Sequence, residues 1–273
     1  MSRAIGTTVF AAITLIAAAP LTARAQYDHA GHDHPPLHVN DRVDDCSVEF
    51  SSRLTQASFR RFVREFGSVS AFKQAASAST LRKGRLSIGL ELMSFNVDEY
   101  SDAWNDTFAH PNDHHPLGSD LDFPKIKARY GITDDADVGA FWARNPNANY
   151  GWFGVDGKWR VLSQDRGKPL SLAVRGAYTK TLYVSDMDMH AVTADVSVER
   201  RVRWGLRPYL GVGADGVLAR ETSGAVNLRN EAILAPHAFT GVAVTVRGRV
   251  DLGLEFTAGP RPSTQIQVAG LLF

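Results

Sequence analysis

One cysteine, Cys46, stands in a chain of 273 residues. It excludes an internal disulfide framework, even in a compartment that would permit one. Beyond the N-terminal region no stretch approaches the roughly 20 apolar residues that a spanning helix needs. An integral membrane protein built from this chain would therefore be left with a closed barrel, the other arrangement that satisfies every backbone polar group in lipid. No charge sign dominates either: 30 basic residues face 29 acidic ones. Nothing in the bulk charge points to nucleic acid.

What is present begins at the start. Arg3 precedes an apolar run from Val9 to Ala19, a break at Pro20, and Ala23-Arg24-Ala25. That is the pattern of a secretory signal with a small-x-small cleavage rule, so residues 1–25 are expected to be removed before Gln26. A retained anchor is the alternative, but the apolar run is short for one. Cys46 lies far beyond it, which argues against a lipid-modified cysteine. Losing Arg3 and Arg24 leaves 28 basic against 29 acidic residues, a formal charge of −1.

Three regions follow. Residues 26–46 are polar, rich in histidine and broken by Pro35-Pro36, and are expected to form a disordered arm. Over residues 47–78 the spacing of Phe59, Phe62, Val63 and Phe66, opposed by Arg60, Arg61 and Arg64, predicts a helix with Gly67 as its stop. A second short turn is expected from Ser68, carrying Val69 and Phe72. Residues 47–84 are read as a periplasmic helical segment and linker, whose amphipathic helix either plugs the barrel lumen or lies on the inner leaflet through its arginines. From about residue 85 the apolar period changes from 3.6 to 2 and stays there to the end.

In Lys125-Ile126-Lys127-Ala128-Arg129-Tyr130 one face is apolar and the other charged. The same division separates Phe153, Val155, Trp159 and Val161 from Asp156, Lys158 and Arg160. Two further segments repeat it, Val192–Glu199 and Arg249–Thr257. A soluble barrel or sandwich would alternate too, with its apolar residues inward. The chain closes on Gln265-Ile266-Gln267-Val268-Ala269-Gly270-Leu271-Leu272-Phe273. With the export signal, this final strand ending in Phe resembles the bacterial outer-membrane β-barrel superfamily; no specific family within it is identified. The resemblance implies residence in the outer membrane, contact with its lipid, and recognition by the barrel assembly machinery through the strand ending in Phe273. Trp152, Trp159, Tyr178 and Trp204 suit aromatic girdles at the interfaces.

The expected fold is all-β: an antiparallel up-and-down barrel over residues 85–273. About ten strands are counted, near 86–97, 123–132, 136–145, 150–162, 169–182, 188–200, 205–219, 231–246, 248–258 and 264–273; eight or twelve remain open. An even number puts both barrel ends on one side. The short turns Thr133–Ala136 and Val246–Arg249 are then periplasmic, and the long connection 98–122 lies outside. Two features break the pattern: Gln265 and Gln267 share a face with Phe273, and the first strand changes phase between Leu92 and Phe95. Bulges would account for both.

If the apolar face meets lipid, the lumen receives Lys125, Lys127, Arg129, Asp156, Lys158, Arg160, Arg175, Asp195, Glu199, Arg207, Asp215, His237, Arg249, Asp251 and Glu255. Such a lumen is either an ion-pair-filled core or a narrow polar pore for small solutes and ions. The arm offers His29, His32, His34 and His38, and the long outer loop His110, His114 and His115. Imidazoles beside carboxylates are ligands for Zn²⁺, Ni²⁺ or Cu²⁺, although no cofactor is required. A catalytic alternative, a rim hydrolase or acyl-transfer enzyme, rests on His190 near Ser185, Asp186 and Asp188. No lipase, palmitoyl-transfer or protease barrel motif supports it, so the reading is non-enzymatic. The remaining alternative is a soluble periplasmic β-barrel that binds a ligand.

Overall fold

The computed structural model describes residues 47–73, 75, 77–98, 101–109, 120–144 and 150–272. The expected signal, arm and terminal Phe273, and the histidines at 29, 32, 34, 38, 110, 114 and 115, lie outside them.

Ten antiparallel strands close into a barrel. In chain order they are β2 Leu86–Asn96, β4 Asp120–Gly131, β5 Ala136–Arg144, β6 Gly151–Leu162, β7 Ser171–Leu182, β8 Met187–Glu199, β9 Leu206–Glu221, β10 Glu231–Val246, β11 Val250–Ala258 and β12 Ser263–Leu272. Each pairs with its neighbours in sequence, and β12 closes on β2 through Thr264↔Ser94 to Leu272↔Leu86. Closure leaves no unpaired edge, the condition for a sheet in lipid. Outside the barrel sheet, β1 Ser47–Val48 pairs with β3 Phe108–Ala109, and the described residues include two α-helices, α1 Gln56–Ser70 and α2 Asp102–Asn105.

The exterior is apolar on every strand. Leu90, Ile126, Trp142, Val155, Tyr178, Val192, Val212, Leu234, Leu254 and Ile266 all point outward and are exposed. A belt that encircles the molecule far exceeds the apolar patch a soluble monomer carries. Its natural solvent is hydrocarbon, so the soluble inward-facing alternative is overturned. The fold is that of a transmembrane β-barrel.

No bulge is needed in the first strand. The β2 ladders to β12 and β4 run without a register shift. Ile88, Leu90 and Leu92 face lipid, whereas Met93 and Phe95 face the lumen and are buried there. Gln265 and Gln267 also point inward, with Ile266 and Val268 outside. A register shift does occur between β6 and β7, between Arg160 and Leu162.

α1 begins only at Gln56 within the expected helical region and lies inside the barrel. Thr55 caps it, its hydroxyl accepting from the Ser58 N–H at 3.2 Å. Such a cap is worth about 1 kcal/mol. The helix runs through Gly67 to Ser70 rather than stopping at the glycine. Gly67 serves a different purpose, because a Cβ there would stand 3.2 Å from the Cβ of Val217 on β9 and closer still to its methyl groups. The missing side chain lets the helix approach the barrel wall. No second helical turn follows; Ala71 leaves the helix with an extended backbone.

Candidate functional site: a lumen threaded by its own N-terminal segment

The strands connect at two different ends. The connections at residues 132–135, 163–170, 200–205 and 247–249 make one end, the turn end, where β2 begins and β12 finishes; those at 97–119, 145–150, 183–186, 222–230 and 259–262 make the other, the loop end, which holds the longest of them. The described chain starts at the loop end. There β1 joins the β2–β4 connection through β3, the Phe50 N–H donates to Asp186 at 2.9 Å, and Gln56 donates to the Arg229 carbonyl at 3.1 Å. It then descends. Lys73 pairs with Asp215 at 3.0 Å, the Ala75 N–H donates to Glu91 at 3.4 Å, and Ser79 donates twice to Glu199. At the turn end the Leu81 N–H donates to Asp137 at 2.9 Å and the Gly84 N–H to the Gly131 carbonyl at 2.9 Å. The segment therefore traverses the barrel from one mouth to the other before β2 starts. Of the two courses left open for the helix, the lumen plug is the one that forms.

The lumen has two halves, matched to what fills them. Toward the loop end its lining is apolar: Met93, Phe95, Phe123, Trp152, Met189 and Val217 are buried around Phe59, Phe62, Val63 and Phe66 of α1. Phe66 meets Trp152 at 5.5 Å between ring centroids and Trp104 at 6.1 Å, and Phe123 stands edge-on to Trp152 at 4.4 Å. Each fully buried aromatic of this kind contributes about 1.5–3 kcal/mol. Trp152 is thus a lumen residue, not a girdle residue. Trp159 and Tyr178 do face outward, and Trp204 is exposed on the β8–β9 turn.

Toward the turn end the lining is charged and paired. Glu91 accepts from Lys125 at 3.1 Å and Lys127 at 2.9 Å, and Lys127 also reaches Gln267. Arg129 bridges Asp137 and Asp156, and Arg175 holds Asp195. Arg207 pairs with Asp251 at 3.2 Å, and Tyr209 donates to Glu255 at 3.0 Å. Asp215 is the densest node: fully buried, it takes Lys73, His237 at 3.0 Å and Thr193 at 2.8 Å. Pairing of this density offsets the several kcal/mol per ion that desolvation costs.

Most of the expected lumen residues are therefore where alternation put them. Arg249 is a correction: it lies exposed on the β10–β11 turn, because the strand begins only at Val250. Arg160 stands at the turn-side rim, held by Asp135 and Asp165. Sequence reasoning missed Glu91, Asp137 and Lys73. Glu91 sits in the strand whose phase was ambiguous, Asp137 opens its strand beside turn carboxylates, and Lys73 enters from a segment with no strand period.

A second node fixes α1 at the loop end. Glu65 accepts from the Trp104 indole at 2.6 Å, from Arg61 at 2.9 Å and from Arg261 at 2.8 Å. Glu65→Gln is expected to weaken all three contacts and to shift Trp104 fluorescence; an unchanged spectrum would contradict the assignment.

His190 faces outward with Tyr178 and Asp188 as its hydrogen-bond partners, while Ser185 donates to Asp186. The rim residues do not assemble a nucleophile with its base. Among the described residues there is no group of three or more His, Cys, Asp or Glu arranged to hold a metal.

No family model matches this sequence, and no match was found among curated proteins. Solved structures that resemble it include bacterial outer-membrane proteins and designed transmembrane β-barrels. Neisserial surface protein A is 11% identical with a TM-score of 0.33, covering 70% of this chain and 97% of its own. An outer-membrane channel from Pseudomonas putida F1 is 8% identical, TM-score 0.43, with coverages of 74% and 100%. OprG from Pseudomonas aeruginosa is 10% identical, TM-score 0.33, with coverages of 72% and 99%. The likeness concerns barrel architecture and nothing finer.

Proposed function

We propose that this protein is a stoppered, non-catalytic narrow passage for small solutes or ions across the outer membrane. The observation that carries the reading is the course of the chain from Phe50 to Leu81, which occupies the lumen from mouth to mouth and is held by pairs rather than by covalent bonds. A barrel that served only as a wall would be complete with side chains filling its interior. Here the interior is filled by a separate segment that contributes its own ion pair and hydrogen bonds, and that is the construction of a removable stopper. With the short turns in the periplasm, as the resemblance implies, the described chain enters from the outer mouth; an arm on the periplasmic side requires the opposite insertion. Engagement of the assembly machinery by the terminal strand belongs to the same proposal. So does binding of Zn²⁺, Ni²⁺ or Cu²⁺ by the histidines of the arm and outer loop, read out by Zn²⁺ uptake that disappears when His29, His32, His34 and His38 become alanine.

Planar-bilayer recording of the full chain tests the passage. A resting state with little steady current and brief openings is expected, since the stopper's contacts are individually weak enough to break. A large, permanently open conductance would refute the stopper, and silence under voltage and after mild denaturant would refute the passage.

A further inference from the structure

A cavity of about 340 Å³ opens at the turn-side mouth, under the point where the threaded segment leaves the lumen. Ser77, Ser79 and Leu81 form one wall of it, and barrel strands form the rest. We propose that this cavity is a binding site for a small anion carrying two or more negative charges, such as a phosphate or a di-carboxylate. The site stands apart from the passage proposed above: it requires only the plugged barrel, and a barrel that never conducts would still hold it.

The argument is one of charge balance. Lys127, Arg129, Lys158 and Arg207 line the cavity, and each is already engaged. Lys127 is taken by Glu91, Arg129 by Asp137 and Asp156, Lys158 by the carbonyls of Ser77 and Ser79, and Arg207 by Asp251. Lys158 also lies 4.0 Å from Asp137, and Glu91 is shared with Lys125, so these four carboxylates face five cations. Arg82 and Arg85 also line the cavity, and no ion pair is found for either among the described residues. Around the rim the same imbalance continues. Gly248 lines the cavity between the exposed Arg247 and Arg249, while Asp134 accepts from the Lys83 N–H at 3.2 Å. Glu199 accepts from the Ser79 N–H and hydroxyl and Asp134 from a backbone N–H, neutral donors that leave both charges in place, so these carboxylates reduce the cationic excess without cancelling it. The Nε of Arg207 is buried with no hydrogen-bond partner, a donor that an anion in the cavity would satisfy.

Guanidinium groups with free donors at the mouth of such a cavity, Arg85 half-buried and Arg82 exposed, suit an oxyanion bearing several acceptor oxygens. A monovalent halide uses few of them. The surrounding arginines would also raise the local anion concentration, an effect that weakens with salt.

Titration calorimetry of the detergent-purified full-length protein with inorganic phosphate at low ionic strength is the test. Saturable binding of one phosphate per barrel is expected, weakened about tenfold or more in Arg82→Gln/Arg85→Gln, a change near 1.4 kcal/mol per factor of ten. Both arginines lie outside the ion-pair network, so the variant is expected to fold, and heat-modifiable gel mobility verifies it. Arg207→Gln provides an independent arm with a smaller loss. No binding by the wild-type protein, equal affinity in the double variant, or chloride bound as tightly as phosphate would each overturn the proposal.

Discussion

Oxidation of a chain carrying Cys46→Ser, Gly67→Cys and Val217→Cys is expected to yield a single internal disulfide and to abolish channel openings until a reductant is added. A Cβ at position 67 stands 3.2 Å from the Cβ of Val217, a few tenths of an ångström inside the usual disulfide range of about 3.5–4.5 Å. The replacement of Val217 also removes the methyl groups that would otherwise meet the new side chain. The bond ties α1 directly to β9, so the stopper cannot leave. Non-reducing gels report closure as a mobility change, and bilayer recordings before and after reduction report its effect. Failure of the two cysteines to join under oxidation would mean that the helix does not occupy the lumen. Joined cysteines with undiminished openings would mean that the current does not pass through it.

Asp215→Asn is expected to have the largest single-residue effect on how tightly the stopper is held. The carboxylate is fully buried and receives Lys73, His237 and Thr193. Removing its charge leaves the Lys73 ammonium uncompensated in a place where it is almost wholly buried. Breaking one side of such a pair costs about 3–5 kcal/mol. Because Lys73 belongs to the threaded segment, much of that cost falls on the plugged state, and the open fraction should rise about a hundredfold or more at 1.4 kcal/mol per factor of ten. Adding Lys73→Met should recover part of the loss, since the double variant buries no orphan charge. Open probability in bilayers and protease sensitivity of residues 71–81 measure both. An unchanged open probability in Asp215→Asn would show that the pair does not hold the segment.

The two experiments act on different halves of the lumen, and the halves differ in how far the sequence revealed them. The charged half was legible. Lys125, Lys127 and Arg129 alternate with Ile126, Ala128 and Tyr130, so only two assignments of inside and outside exist, and the encircling belt of exposed Leu90, Ile126, Val212 and Ile266 chooses between them. In the apolar half the alternation is lost because both faces are hydrophobic. Trp152 and Phe153 are neighbours, one packed on α1 and the other facing lipid. Met93 and Phe95 read as a slip of phase for the same reason. A period of two carries no information where lipid lies on one side and a buried helix on the other.

By itself the amino-acid sequence determined the strand segments to within a few residues, counting about ten with eight or twelve left open; closure of the barrel fixes the number at ten. The segments depend on side-chain alternation and on short turns, which are local properties. The sequence also determined that residues near 59–66 form an amphipathic helix. Where that helix goes was decided only by the tertiary structure. Its phenylalanines need an apolar partner surface, and the surface is assembled from β2, β4, β6, β8 and β9, strands distant from one another in sequence. Closure of the barrel creates that surface in the loop-side lumen, and the Lys73–Asp215 pair, 142 residues apart, fixes the chain that follows. Neither exists until the strands have met, which is why no window of the sequence contained them.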